Sequence, residues 1–99
     1  MTDEIYKNLQ LSDVNIIIDT WADWCSPCKQ MKPMFEEAER LMKNSNVVFY
    51  TLNVEDYEDL ADELDIINLP TFVLIKNKTY YKHDGKFDSL ENMINFISK

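Results

Sequence analysis

Two cysteines and one histidine are all the thiolate and imidazole metal ligands that the 99 residues offer. A structural zinc or iron–sulfur centre needs about four, so a single chain cannot close one, and no metal is expected. The lone His83 reads as an exposed residue on the last strand. Basic residues are scarce as well: ten against eighteen acidic, for a formal charge of −8. Nucleic-acid binders need a basic patch, and this balance argues against that class. An acidic balance serves solubility and biases encounters toward basic partners. No apolar run approaches the roughly 18 residues of a membrane span. The start, Met1 to Lys7, lacks the apolar core of a secretory signal. A cytoplasmic address is the expectation, with no membrane and no nucleic acid among the partners. Glycine occurs once, at Gly85, ahead of the last helix, which suggests a backbone conformation other residues avoid.

What is present is an ordinary globular composition, 45% apolar and 28% charged. Ninety-nine residues can bury one core and not two, so residues 1–99 are read as a single domain. Two cysteines cannot build the scaffold of a small secreted protein. As a staple, a bridge closing so short a loop would restrain little chain entropy. Their chemistry explains them better.

Cys25 and Cys28 sit in Trp21-Ala-Asp-Trp-Cys-Ser-Pro-Cys-Lys-Gln-Met-Lys-Pro33. Two intervening residues let the sulfurs meet when the second cysteine lies in the first turn of a helix. The bare spacing also suits zinc sites. Here it follows the apolar run Ile16-Ile17-Ile18 and opens an amphipathic segment, and that context favours redox chemistry. Cys25 should sit just ahead of the helix, where unpaired N–H groups and the helix dipole favour a thiolate. Cys28, one turn in, should be more buried and less ionised. Cys25 then attacks a foreign disulfide and Cys28 resolves the mixed one.

The rest of the chain orders itself around that stretch. Met1–Asp13 holds Ile5 and Leu9 at helical spacing and little room for a strand as well. Val14–Thr20 is a near-continuous apolar run, suited to a strand covered on both faces. Asp19 is the anomaly within it. Pro27–Lys43 carries Met31, Phe35, Ala38 and Met42 near a 3.6 period, widened by Met34 and Leu41, with a kink expected at Pro33. Val47–Asn53 is a second strand. Glu55, Asp56, Glu58 and Asp59 read as acids at the start of a short helix bearing Leu60, Ala61 and Leu64. Pro70 begins or bends the strand Thr71–Ile75. Lys76-Asn-Lys-Thr79 reads as a hairpin turn, although Asn-Gly would favour it more. Asp88 or Ser89 caps a last helix lined by Leu90, Met93, Ile94 and Ile97. Parallel crossovers first and an antiparallel edge after give an α/β sandwich.

Asp19-Thr-Trp-Ala-Asp-Trp-Cys-Ser-Pro-Cys-Lys29, with Leu69-Pro70-Thr71 much later, closely resembles the thioredoxin family from about Val14 onward. The chain departs from the family pattern at Ser26, normally glycine, at Thr20, usually aromatic, and in its short N-terminus. The resemblance implies a three-layer α/β/α sandwich on a mixed sheet of four or five strands, the N-terminal strand short or absent. It implies a protein-disulfide reductase that works with Cys25 and Cys28 and needs no cofactor. Its partners would be disulfide-containing proteins and a thioredoxin reductase or equivalent electron donor. It places Asp19 beneath Cys28, where a buried carboxylate can take the resolving proton. Family members often pair that Asp with a lysine of the adjacent strand, and Thr51 stands in the matching place. It makes Pro70 a cis proline facing the cysteines. Trp24, Leu69 and Pro70, with Gly85 nearby and Ser26 and Pro27 beside the cysteines, would form the substrate surface. Trp21 would pack in the core, and Lys29 is a solvated helix residue. The Ser26 hydroxyl could donate to the Cys25 thiolate or simply face solvent.

Three other readings use the same residues. A metal module would need a dimer, and the proline between the cysteines speaks against it. A binding subunit would use the same surface with the cysteines incidental. An oxidant or isomerase would keep the chemistry and reverse it, but a cytosolic dithiol is normally held reduced.

Overall fold

Strand β1, Asn15–Trp21, runs through the middle of the molecule because Ile16, Ile17 and Ile18 are apolar on both of its faces. The computed structural model describes Lys7 and residues 14–99. After β1 come α1 (Ser26–Leu41), β2 (Val47–Asn53), α2 (Glu58–Glu63), β3 (Thr71–Lys76), β4 (Thr79–Asp84) and α3 (Leu90–Ile97). Among the described residues the sheet has four strands in the order β2-β1-β3-β4. β2 is parallel to β1, while β3 is antiparallel to both β1 and β4. The sheet is therefore mixed, as the sequence implies. The expectation of a short or absent N-terminal strand falls on residues outside those described.

Alternation along β1 divides the core in two. Ile17 joins Phe72 and Leu74 of the sheet with Met31, Phe35 and Ala38 of α1 and Met93 and Ile97 of α3. Ile16 and Ile18 join Leu52, Val73 and Ile75 with Leu60 of α2 and Leu64 at its C-cap. Helices thus cover both faces, giving the three-layer sandwich. Leu41 departs from the expected stripe: it is half exposed, and Met42, about 100° further round the helix, packs on the core instead.

Local chemistry sets the ends of the elements. α1 runs uninterrupted through Pro33, which lacks the N–H that would reach the Lys29 carbonyl. α2 closes with a left-handed Asp65, φ 60°. There Ile66 N–H donates to the Ala61 carbonyl and Asp65 N–H to that of Asp62, the six-to-one and five-to-two bonds of a Schellman ending. That ending aims the chain toward Pro70. Asn77 and Lys78 both have positive φ, 53° and 64°, so the β3–β4 turn is of type I′, with lysine where glycine is favoured. Ser89, rather than Asp88, caps α3 by accepting from Asn92 N–H at 3.1 Å. Gly85 has φ 89°, and a methyl group there would touch nothing, so the backbone conformation alone calls for glycine. His83 is less exposed than expected. Its ring stacks on Phe87 at 3.8 Å between centroids, and Nε2 lies 3.1 Å from the Lys86 carbonyl.

Phe72 is fully buried on the α1 and α3 side, with ring centroids 5.0 Å from Phe87 and 6.0 Å from Phe35. Phe72→Ala should cost ~3–5 kcal/mol of stability, because rigid neighbours on several elements cannot collapse into the hole. Urea denaturation of the two proteins measures it.

Candidate active site

α1 begins where it does because Cys25 is its N-cap, with extended φ and ψ of −90° and 101°. Its Sγ accepts from Cys28 N–H at 3.2 Å, taking the place a serine or aspartate oxygen usually fills. Pro27 lies in the first turn, where a missing N–H leaves no intrahelical bond unmade. The two cysteines are joined as a disulfide. Burial does not separate them as the sequence suggested: Cys25 is 3% exposed and Cys28 4%. Their surroundings do separate them. The sulfur of Cys25 faces a helix N–H, whereas that of Cys28 lies 4.0 Å from the Thr20 carbonyl and borders a cavity.

That cavity, about 310 Å³, is lined by Asp19, Trp21, Asp23, Cys28, Lys29, Lys32 and Thr51. Asp19 lies in β1 and is 3% exposed, so it does not see water at a strand end. Its Oδ1 has no hydrogen-bond partner. Burial pushes the carboxyl up from 3.8 to about 7, since the ionised form has lost its hydration. Thr51 is opposite Asp19 in the β1–β2 register, and it brings no charge.

The Thr20 hydroxyl joins the ends of β1 and β3. It donates to the Thr71 carbonyl at 2.7 Å and accepts from Thr71 N–H at 3.1 Å. The residue before Thr71 is Pro70, whose bond to Leu69 is cis, as the resemblance implies. Gly85 N–H donates to the Pro70 carbonyl at 2.8 Å, and the Thr71 hydroxyl to the Asn68 carbonyl at 2.6 Å. Pro70 is buried and Leu69 half-buried, while Ser26 and Pro27 are exposed. Trp24 stands 69% exposed beside Cys25, its indole N–H donating to Glu55 Oε2 at 3.2 Å.

Three residues of this region escape the sequence reading. Ile67, 81% exposed, is an apolar group on the approach to Pro70. Glu55 lies ahead of α2, so the helix-terminus explanation holds for Glu58 and Asp59 and not for it. Lys32 lines the cavity together with Lys29, which sequence alone treats as merely solvated. Lys32 is four residues beyond Cys28 on α1, a spacing that could have drawn attention to it.

A disulfide whose first sulfur caps a helix, a buried carboxyl lining the same cavity as the second cysteine and a cis proline tied to the same strand ends suit thiol–disulfide exchange. The thioredoxin family model matches residues 1–99. A thioredoxin of Malassezia sympodialis is 38% identical over 72 residues, covering 73% of this chain and 69% of its own. One from Rickettsia typhi is 33% identical over an alignment of 100 residues, covering all of this chain and 94% of its own. The crystal structure of the Malassezia sympodialis protein superposes with a TM-score of 0.85 at 30% identity, over 98% of this chain and 84% of that one. The oxidised mitochondrial thioredoxin 3 of Saccharomyces cerevisiae gives 0.83 at 28% identity, over 96% and 87%. The chain therefore belongs to the thioredoxin family, as a disulfide reductase whose redox-active pair is Cys25 and Cys28.

Proposed function

We propose that residues 1–99 act as one domain that reduces protein disulfides in the cytoplasm and is recharged by a thioredoxin reductase or an equivalent dithiol donor. The observation that carries this reading is the bond from Cys28 N–H to Cys25 Sγ at the start of α1. In the reduced protein the same donor and helix dipole favour a Cys25 thiolate. That thiolate attacks one sulfur of the target disulfide, and the other target sulfur leaves as a thiolate that takes up a proton. Cys28 then gives its proton to Asp19 and attacks Cys25 Sγ. The second target thiolate departs, leaving the target with two thiols and this chain with its disulfide. Two electrons have passed to the target, and the donor returns them.

Asp19 suits its part because a carboxyl near neutrality can accept a proton and release it again. Trp24, Ile67, Leu69 and Pro70, with Ser26, Pro27 and Gly85 at the margin, form the surface for the extended target segment. A cytoplasmic setting, in which dithiols are kept reduced, suits the reductive direction. Among the described residues no helix is long and apolar enough to cross a membrane.

Insulin reduction under limiting dithiothreitol tests the reading. The wild type should accelerate precipitation of the insulin chains, and Cys25→Ser should fall to the dithiothreitol background. Cys28→Ser should accumulate a mixed disulfide with insulin, visible as an added mass. No acceleration by the wild type would remove the general-reductase role.

The Asp19 carboxyl also makes stability depend on pH. Its folded value, about 7, lies above the ordinary 3.8, so the folded chain holds a proton that the unfolded chain has lost. The resulting destabilisation is absent at pH 3, grows between pH 4 and 7, and is complete above about pH 7. Asp19→Asn should therefore stabilise the protein at pH 8, by ~4 kcal/mol at most, and the gain should fade as the pH approaches 4. Urea midpoints at the two pH values check the sign.

A further inference from the structure

We propose that Lys32 is the cationic positioning residue of this site: its ammonium swings across the cavity toward Asp19 while that carboxylate stands ionised, before it takes the Cys28 proton. The inference rests on the role of Asp19 as proton acceptor, and it extends that role to a residue on another element.

Three observations lead to it. Asp19 is almost wholly buried, its Oδ1 has no partner, and it opens onto a cavity rather than onto packed side chains. A carboxylate formed there would be an isolated charge in a poorly solvated space, which is costly without a counter-charge. Every element packed around it can be searched for one. β2 presents Thr51 and β3 presents Phe72, both neutral. The β1–α1 turn presents Asp23, of the wrong sign, and α1 presents Cys28, Lys29 and Lys32. The cations on the cavity wall are therefore the two lysines of α1.

Helix geometry chooses between them. Lys32 is four residues after Cys28 and lies above it on the same face, whereas Lys29 is turned about 100° away. Lysine places its charge at the end of a flexible four-carbon stem, which can reach inward and withdraw again. Neither lysine pairs with Asp19 in the oxidised protein, where the carboxyl has no proton to collect and burial alone sets its state. The cation is needed in the reduced protein, while the carboxylate waits ionised for the Cys28 proton.

The test is a titration of the Asp19 carboxyl carbon by NMR in the reduced protein, set beside the acid limb of insulin reduction. Lys32→Met should move the carboxyl midpoint up by ~0.5–1 pH unit and carry the acid limb with it. Lys32→Arg, which keeps the charge, should move neither by more than ~0.2. Adding Thr51→Lys to Lys32→Met should bring the midpoint back down, because a cation then faces Asp19 from β2. A purely structural role for Lys32 would not be rescued from the opposite wall. The proposal is overturned if Lys32→Met leaves the midpoint in place, or if Lys29→Met shifts it as far. Asp19→Asn separates this from the reading beneath it. If its pH profile keeps the wild-type acid limb, Asp19 is not the proton acceptor, whatever Lys32 does to the titration.

Discussion

Strand β1 is buried on both faces from Ile16 to Thr20, and most of the site follows from that constraint. A strand covered on both sides shields its side chains from bulk solvent, so the carboxyl of Asp19 is buried although it borders a cavity. The same strand delivers the chain to the surface of the sheet at Trp21. There α1 must start at once if Phe35 and Ala38 are to reach Ile17. Burial of the strand and placement of the cysteines are thus one arrangement.

The two sulfurs occupy unlike electrostatic surroundings at equal depth. Cys25 meets the positive end of a helix through a backbone donor. Cys28 lies 4.0 Å from the Thr20 carbonyl oxygen, which disfavours a negative charge on its sulfur, and shares a cavity with the Asp19 carboxyl. The electrostatic difference between the two sulfurs comes from these neighbours and not from exposure.

Much of this was legible in the sequence because it is local. The cysteine spacing, the apolar run before it and the stripe Met31, Phe35, Ala38 lie within twenty-three consecutive residues, and strand, turn and helix can be read from them. The position of Asp19 was legible only through its likeness to a family, since a lone acid in an apolar run can equally end a strand. The places of Glu55 and Ile67 were not legible, and that of Lys32 was signalled only by its spacing from Cys28. Glu55 acquires its place from Trp24 and Lys32 from a cavity walled by β1 and β2, both between distant parts of the chain, while Ile67 owes its place to the left-handed Asp65 just before it. Equal burial of the cysteines was missed for a related reason. Sequence gives the turn of a helix on which a residue lies, and it does not give what covers that turn.

One feature of the sheet bears on how this site can vary. At the active-site end of β1 the Thr20 side chain holds both the N–H and the carbonyl of Thr71. That end of the sheet is latched by a hydroxyl, and the residue carrying Pro70's peptide partner hangs from it. An aromatic side chain at position 20 has no hydroxyl in that place to offer. Exchange of Thr20 for a residue without a hydroxyl therefore leaves the backbone N–H and carbonyl of residue 71 to find other partners, whatever side chain stands at 71.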